Sequence, residues 1–224
     1  MNDIISALGR CRVFDLSHPL FVGMPHYPTH PPVLFSLTKK HGDMVLEGGV
    51  SSAADSMALG GHVGTHIDAL CHFSCDGKLF GGVDVNGIQS YDGGVRGLSV
   101  DTIAPIMRRG VLIDVADKTI LEPDHTITPQ EIENTARSEG VEVRAGDVVL
   151  LRTGWAAYWN DPKRFITGTS GAHVSGPGPE LPGAQWLSKH KIFATGSDTV
   201  GFEKQPTQMQ VHRHLLVENG IHIM

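Results

Sequence analysis

The chain has 224 residues, 40% hydrophobic and 19% charged, a balance that excludes a disordered chain and lets a sizeable core form without staples. No apolar run reaches ~18 residues, which excludes a spanning helix, and a net charge of −6 argues against nucleic acid or an anionic membrane as partner. The opening MNDIISALGRCR lacks the basic-then-apolar layout of a signal peptide and the three cysteines cannot all pair, so reduced thiols and a cytoplasmic location are expected.

Thirteen histidines outnumber the eight phenylalanines and three tyrosines, and 27 glycines with 13 prolines favour turns and short strands over long helices. In chain order, residues 12–17 (RVFDLS) predict a strand. The five-proline stretch 19–32 predicts a loop, because proline removes donors and blocks regular pairing. Residues 33–38 and about 44–59 alternate as strands do, and 111–115 (VLIDV) read as a short buried strand. Thr128-Pro129-Gln130-Glu131 predicts a helix start: Thr128 caps, Pro129 suits the first turn and Glu131 closes the capping box. That helix should stop near Gly140. Residues 147–153 predict another buried strand, and a short helix begins at Gly154-Trp155. The Gly-, Ser- and Pro-rich stretch 167–183 predicts a long surface loop, suited to a lid over a site. A helix over about 183–190, a strand at 192–195, a helical 208–219 and a strand opening at Ile221 complete a mixed α/β or α+β pattern in one domain.

Chemistry concentrates in GGHVGTHIDALCHF, which sets His62, His66, Asp68 and His72 within eleven residues. Two imidazoles and a carboxylate suit zinc, manganese or iron and leave positions open for water and substrate. A helix would put Asp68 about 240° round from His62, and Gly60, Gly61 and Gly64 disfavour one. A strand puts 62, 64, 66 and 68 on one face, but a straight one separates the His62 and His66 Cα atoms by about 13 Å. A bend at Gly64 resolves this, so the expected form is extended but kinked. His72 is either a further ligand or a free imidazole beside the metal, where hydrolysis needs an acid–base.

His62-x-Gly64-Thr65-His66-x-Asp68-x-x-x-His72 resembles the HxGTHxDxxxH signature of the metal-dependent cyclase family, which takes in bacterial kynurenine formamidase and isatin hydrolase. LSHPL at 16–20, LLRTGW at 150–155, GSDTVGFE at 196–203 and VHRHLL at 211–216 are similar in the same order, so the resemblance covers nearly the whole chain. It implies an α/β chain with a swivelling β/β/α fold, a small central mixed β-barrel and peripheral helices. It also implies one or two divalent ions (manganese or zinc), a homodimer or tetramer, and hydrolysis of an amide, cyclic amide or imide, or lactone bond in a small, aromatic substrate. By the resemblance, His62, His66 and Asp68 bind metal, His72 shuttles protons and His212 belongs to a second metal position. The glutamate that follows that late histidine by about a dozen residues in the kynurenine formamidases would fall beyond Met224. This implies a single domain over 1–224 lacking its C-terminal end, or a lost half-site. Leu70 stands where those formamidases have proline, and Met24-Pro25-His26-Tyr27-Pro28 replaces their aromatic-bearing loop.

Other residues carry weaker expectations. His212 and His214 face different sides of a helix, and Glu203, Gln205 and Gln208 read as solvated surface more than as oxygen donors to a metal. Ser197-Asp198 lacks the GxSxG elbow of a serine hydrolase. Cys71 reads as a small packed residue, His26, Tyr27 and His30 as substrate contacts or structural turn, and His173 as loop surface. Two alternatives stand beside the hydrolase: a binding module that uses the same ligands, and a ring-forming cyclase of polyketide-type metabolism.

Overall fold

The structure, a computed structural model, describes Ser6 and residues 10–169 and 171–224. Most of the stretch read against a signal peptide, and position 170 of the Gly-rich loop, lie outside the described residues. The chain opens with an antiparallel hairpin of β1 (Leu34–Lys39) and β2 (Ala54–Ala58), then a small one of β3 (Gln89–Ser90) and β4 (Gly94–Val95). Next come β5 (Gly110–Asp114), β6 (Thr126–Ile127), helix α1 (Pro129–Ser138), β7 (Val148–Arg152) and helix α2 (Pro162–Thr167). The chain ends with β8 (Gly178–Pro179), α3 (Leu181–Lys189), β9 (Ala194–Ser197), α4 (Gln210–His212), which runs on as a π-helical turn over Arg213–Glu218, and β10 (His222–Ile223).

Four strands form one parallel sheet in the order β10-β9-β7-β5, and β6 pairs with β8 beside it. Val111 and Ile113 of β5 and Val149 and Leu151 of β7 point to one face. There they pack with Ile132 and Ala136 of α1, Ala184 and Leu187 of α3, and Leu215 and Leu216 after α4. The period-2 burial of β7 reflects the alternation of side chains along a strand. β5 alternates too, with Leu112 exposed, because it is an edge strand and not the fully buried one its apolar run suggests.

The capping box forms as read. Thr128 Oγ1 accepts from the Glu131 N–H at 3.2 Å, and Glu131 Oε2 accepts from the Thr128 N–H at 2.8 Å. The helix ends before Gly140, whose φ of +67° permits the exit.

Two expectations are corrected. The sheet does not close: among the described residues no strand pairs beyond β5, and only the isolated antiparallel bridge Asp68↔Ile223 extends past the two-residue β10. The expected mixed barrel is therefore an open parallel sheet with one antiparallel bridge. Residues 12–17 form no strand. They find no partner, Ser17 turns back to bond Asp15, and Val13 is 85% exposed. Among the described residues no helix is long and apolar enough to cross a membrane.

Candidate active site

The histidine-rich segment docks on the edge of the sheet. The Asp68 N–H donates to the Ile223 carbonyl at 2.7 Å, and His222 Nδ1 donates to the Asp68 carbonyl at 2.9 Å. This places the motif at the carboxyl ends of β9 and β10, where open α/β sheets form their crevices. The kink falls where the sequence predicts it: Gly64 has φ +68°, and His62 and His66 turn to the same carboxylate.

Asp68, 4% exposed, is the centre of the cluster. Its Oδ1 accepts from His62 Nδ1 at 2.7 Å and lies 3.4 Å from His66 Nε2 and 4.0 Å from His72 Nε2. Its Oδ2 faces His212 Nε2 at 3.9 Å. His66 Nδ1 donates to the Gly64 carbonyl at 2.8 Å, which leaves Nε2 as the ring nitrogen turned to Asp68 and the site. The His62 and His72 rings stack with centroids 3.7 Å apart. One ligand atom from each of His62, Asp68 and His72 lies within 4.8 Å of the other two, and His66 Nε2 approaches the same Asp68 oxygen more closely than His72 does. All five residues line one pocket of about 350 Å³.

Burial pushes the Asp68 carboxyl up, but the hydrogen bonds from His62 and His66 and the charges of His72 and His66 outweigh it. The group is held well below the usual carboxylate range. His72 moves the other way: burial, joined by the neighbouring His62, His212 and His30 imidazoles, overcomes the pull of Asp68 and lowers it to about 4. Burial also opposes charge on His66, yet its hydrogen bonds to Asp68 and Gly64 raise it above the ordinary imidazole value.

The proline-rich loop supplies a wall. Tyr27, Thr29 and His30 line the pocket, with His30 ring-to-ring at 5.1 Å from His62, while His26 bridges Val63 outside the lining. His214 turns away to Ser188 Oγ at 2.8 Å, as the two-residue spacing requires, and His173 is exposed away from the pocket. Asp198 is structural: it accepts from the Thr153 N–H and hydroxyl, both at 2.7 Å, and ties the loop after β9 to the loop after β7.

Sequence reasoning missed the Thr199–Phe202 wall and misplaced Glu203 and Gln205, which are buried; Gln208 is exposed as read. A Gly- and Thr-rich stretch directly after a buried strand was the available signal for the wall.

The Cyclase family profile matches residues 14–204, a span that ends short of His212. The chain is 31% identical over 147 residues to isatin hydrolase of Roseibium aggregatum, covering 65% of this chain and 49% of that protein. It thus spans about half the length of the curated relative it matches. It is similar to a cyclase crystal structure with a TM-score of 0.84 at 22% identity, covering 99% of this chain and 78% of that one. Isatin hydrolase A from Ralstonia solanacearum gives a TM-score of 0.75 at 22% identity, covering 99% and 82%.

Proposed function

The chain belongs to the cyclase family, and we propose that it is a metal-dependent hydrolase of an amide, cyclic amide or imide, or lactone bond in a small aromatic substrate. The observation that carries this is the convergence of four imidazoles on one buried carboxylate, all within 4.0 Å of it. His62, His66 and Asp68 would hold a divalent ion, with His212 at the Oδ2 side of Asp68 for a second. The donor set fits: one hard anionic oxygen and ring nitrogens, among which His66 has its other nitrogen already committed to the Gly64 carbonyl. It accepts zinc or manganese. A divalent ion bound there supplies Lewis acidity, polarising a carbonyl and making water acidic near neutral pH.

His72 does the proton work. Its depressed pKa keeps the imidazole neutral at pH 7, ready to take a proton from the attacking water and pass it to the leaving nitrogen or oxygen. Tyr27, His30, Val200 and Phe202 line the same pocket and give it ring and apolar surface on which an aromatic substrate can pack. A homo-oligomer fits the outer surface. β1 and β2 are exposed on both faces and carry Leu34, Phe35, Leu37 and Met57 into solvent. A two-stranded ribbon is marginal alone, and apolar patches of this kind mark contact surfaces.

The test is elemental analysis of the purified protein together with turnover of isatin, N-formylkynurenine and a lactone panel. His66→Ala should lose most of the bound divalent ion and all activity; full metal retention in that variant overturns the site assignment. A wild-type protein that binds metal and turns nothing over is the binding module.

A further inference from the structure

We infer that Glu203 is a positioning residue that locks His212 in one tautomer, with the proton on Nδ1 and the lone pair on Nε2 aimed into the site. Glu203 is only 2% exposed, on the loop after β9, nine residues before His212. A buried carboxylate is costly unless its oxygens are satisfied, and here each has a partner. Oε2 accepts from the Val211 N–H at 3.0 Å and from the Thr207 hydroxyl at 2.9 Å. Oε1 meets His212 Nδ1 at 2.5 Å. The Val211 N–H is an obligatory donor, which commits Oε2 as an acceptor. With Glu203 as a carboxylate, Oε1 accepts as Oε2 does, and the proton of the remaining contact sits on Nδ1. Phe73 packs against the imidazole at 4.8 Å between centroids and holds it from another side.

His212 Nε2 then carries the lone pair. Its separation of 3.9 Å from Asp68 Oδ2 is longer than a hydrogen bond, so the two atoms face each other across the pocket unbonded. Oε1 of Glu203 meets Nδ1, on the other side of the ring from Nε2, so this carboxylate orients the histidine and is not a partner ligand beside it. The use made of the lone pair rests on the metal reading above; the tautomer does not.

Glutamine at 203 exposes the requirement. Its amide has one accepting end and one donating end, whereas the site asks for acceptance at both. With the oxygen on Val211 and Thr207, the NH₂ faces Nδ1 and forces the proton to Nε2. With the oxygen on His212, the NH₂ opposes the Val211 N–H. Either outcome disturbs the histidine or the start of α4.

The experiment is long-range ¹H–¹⁵N NMR of the full chain stripped with a chelator, at a pH where imidazoles are neutral. The His212 signals are assigned by their loss in His212→Asn. The wild type should show the Nδ1–H tautomer. Glu203→Gln should move it to Nε2–H or to a mixture, and Thr207→Val should leave it unchanged. Zinc titration should show affinity about 10- to 100-fold weaker in Glu203→Gln, the usual loss when a partner that orients a ligand is removed. An Nε2–H tautomer in the wild type overturns the inference, and so does an unchanged tautomer in Glu203→Gln. If that variant does not fold, the wild-type spectrum decides alone. A wild type that binds neither zinc nor manganese yet shows the Nδ1–H tautomer sinks the metal reading and leaves the positioning role standing.

Discussion

Gly64→Ala tests whether the kink builds the site. The position has φ +68°, a region that costs a non-glycine residue roughly 1–2 kcal/mol. The new Cβ would sit 2.8 Å from Leu20 Cδ2 and 3.2 Å from Met24 Cε. Leu20 is exposed and can swing away. Met24 is 2% exposed and has little room, so it leaves its rotamer at a cost of about 0.5–1.5 kcal/mol. The stiffer unfolded chain returns about 0.4–1 kcal/mol. The net loss is then about 0.5–3 kcal/mol, or a fall in Tm of about 1–12 °C for a chain of this size. Zinc affinity should fall with it, because the same bend turns His62 and His66 to Asp68. Gly42→Ala is the control: its φ is +91° with nothing within 4 Å of the added carbon, so it should lose some stability and no zinc affinity. The measurements are thermal melts and zinc titrations of the three proteins. A Gly64→Ala variant with wild-type Tm and wild-type affinity would refute the reasoning.

Three further outcomes are expected. His72→Asn should keep its metal and lose about 100- to 10,000-fold in turnover, the usual share of a general acid–base; the wild type should lose activity only on the acid side, as His72 gains a proton, and loss of metal along with activity would make His72 a ligand. Asp147, bonded by Arg109 through both carboxylate oxygens at 3.0 and 2.7 Å, has its pKa lowered chiefly by that pairing. Its stabilisation is therefore full above about pH 4 and is lost as pH falls through the folded value, so the Tm gap between wild type and Asp147→Asn should narrow in acid, and a gap that widens there contradicts the assignment. Light scattering at micromolar concentration should show a homo-oligomer that Phe35→Glu and Met57→Glu together disperse; a wild-type monomer counts against the hairpin as a subunit contact.

What could be read from the sequence depends on how local each cause is. Thr128, Pro129 and Glu131 specify the start of α1 within four residues, and the structure has that cap. The motif from His62 to His72 is similarly short-range, because one glycine supplies the bend that brings its side chains together. Residues 12–17 look like a strand, but a strand needs a partner, and nothing in those six residues says whether one exists. Closure of a sheet is less local still: it depends on what pairs beyond β5 and β10, decided by segments more than a hundred residues apart. Glu203 shows the same limit at the site. In the string GFEKQP it looks like solvated surface, and its role exists only because the chain turns back through Thr207 and Val211 to set an imidazole against it. Once buried, the carboxylate needs donors, and His212 is the donor whose other nitrogen faces Asp68. The side chains around Asp68 are thus split between a legible strip, His62 to His72, and His212, which reaches the carboxylate only through an illegible fold-back.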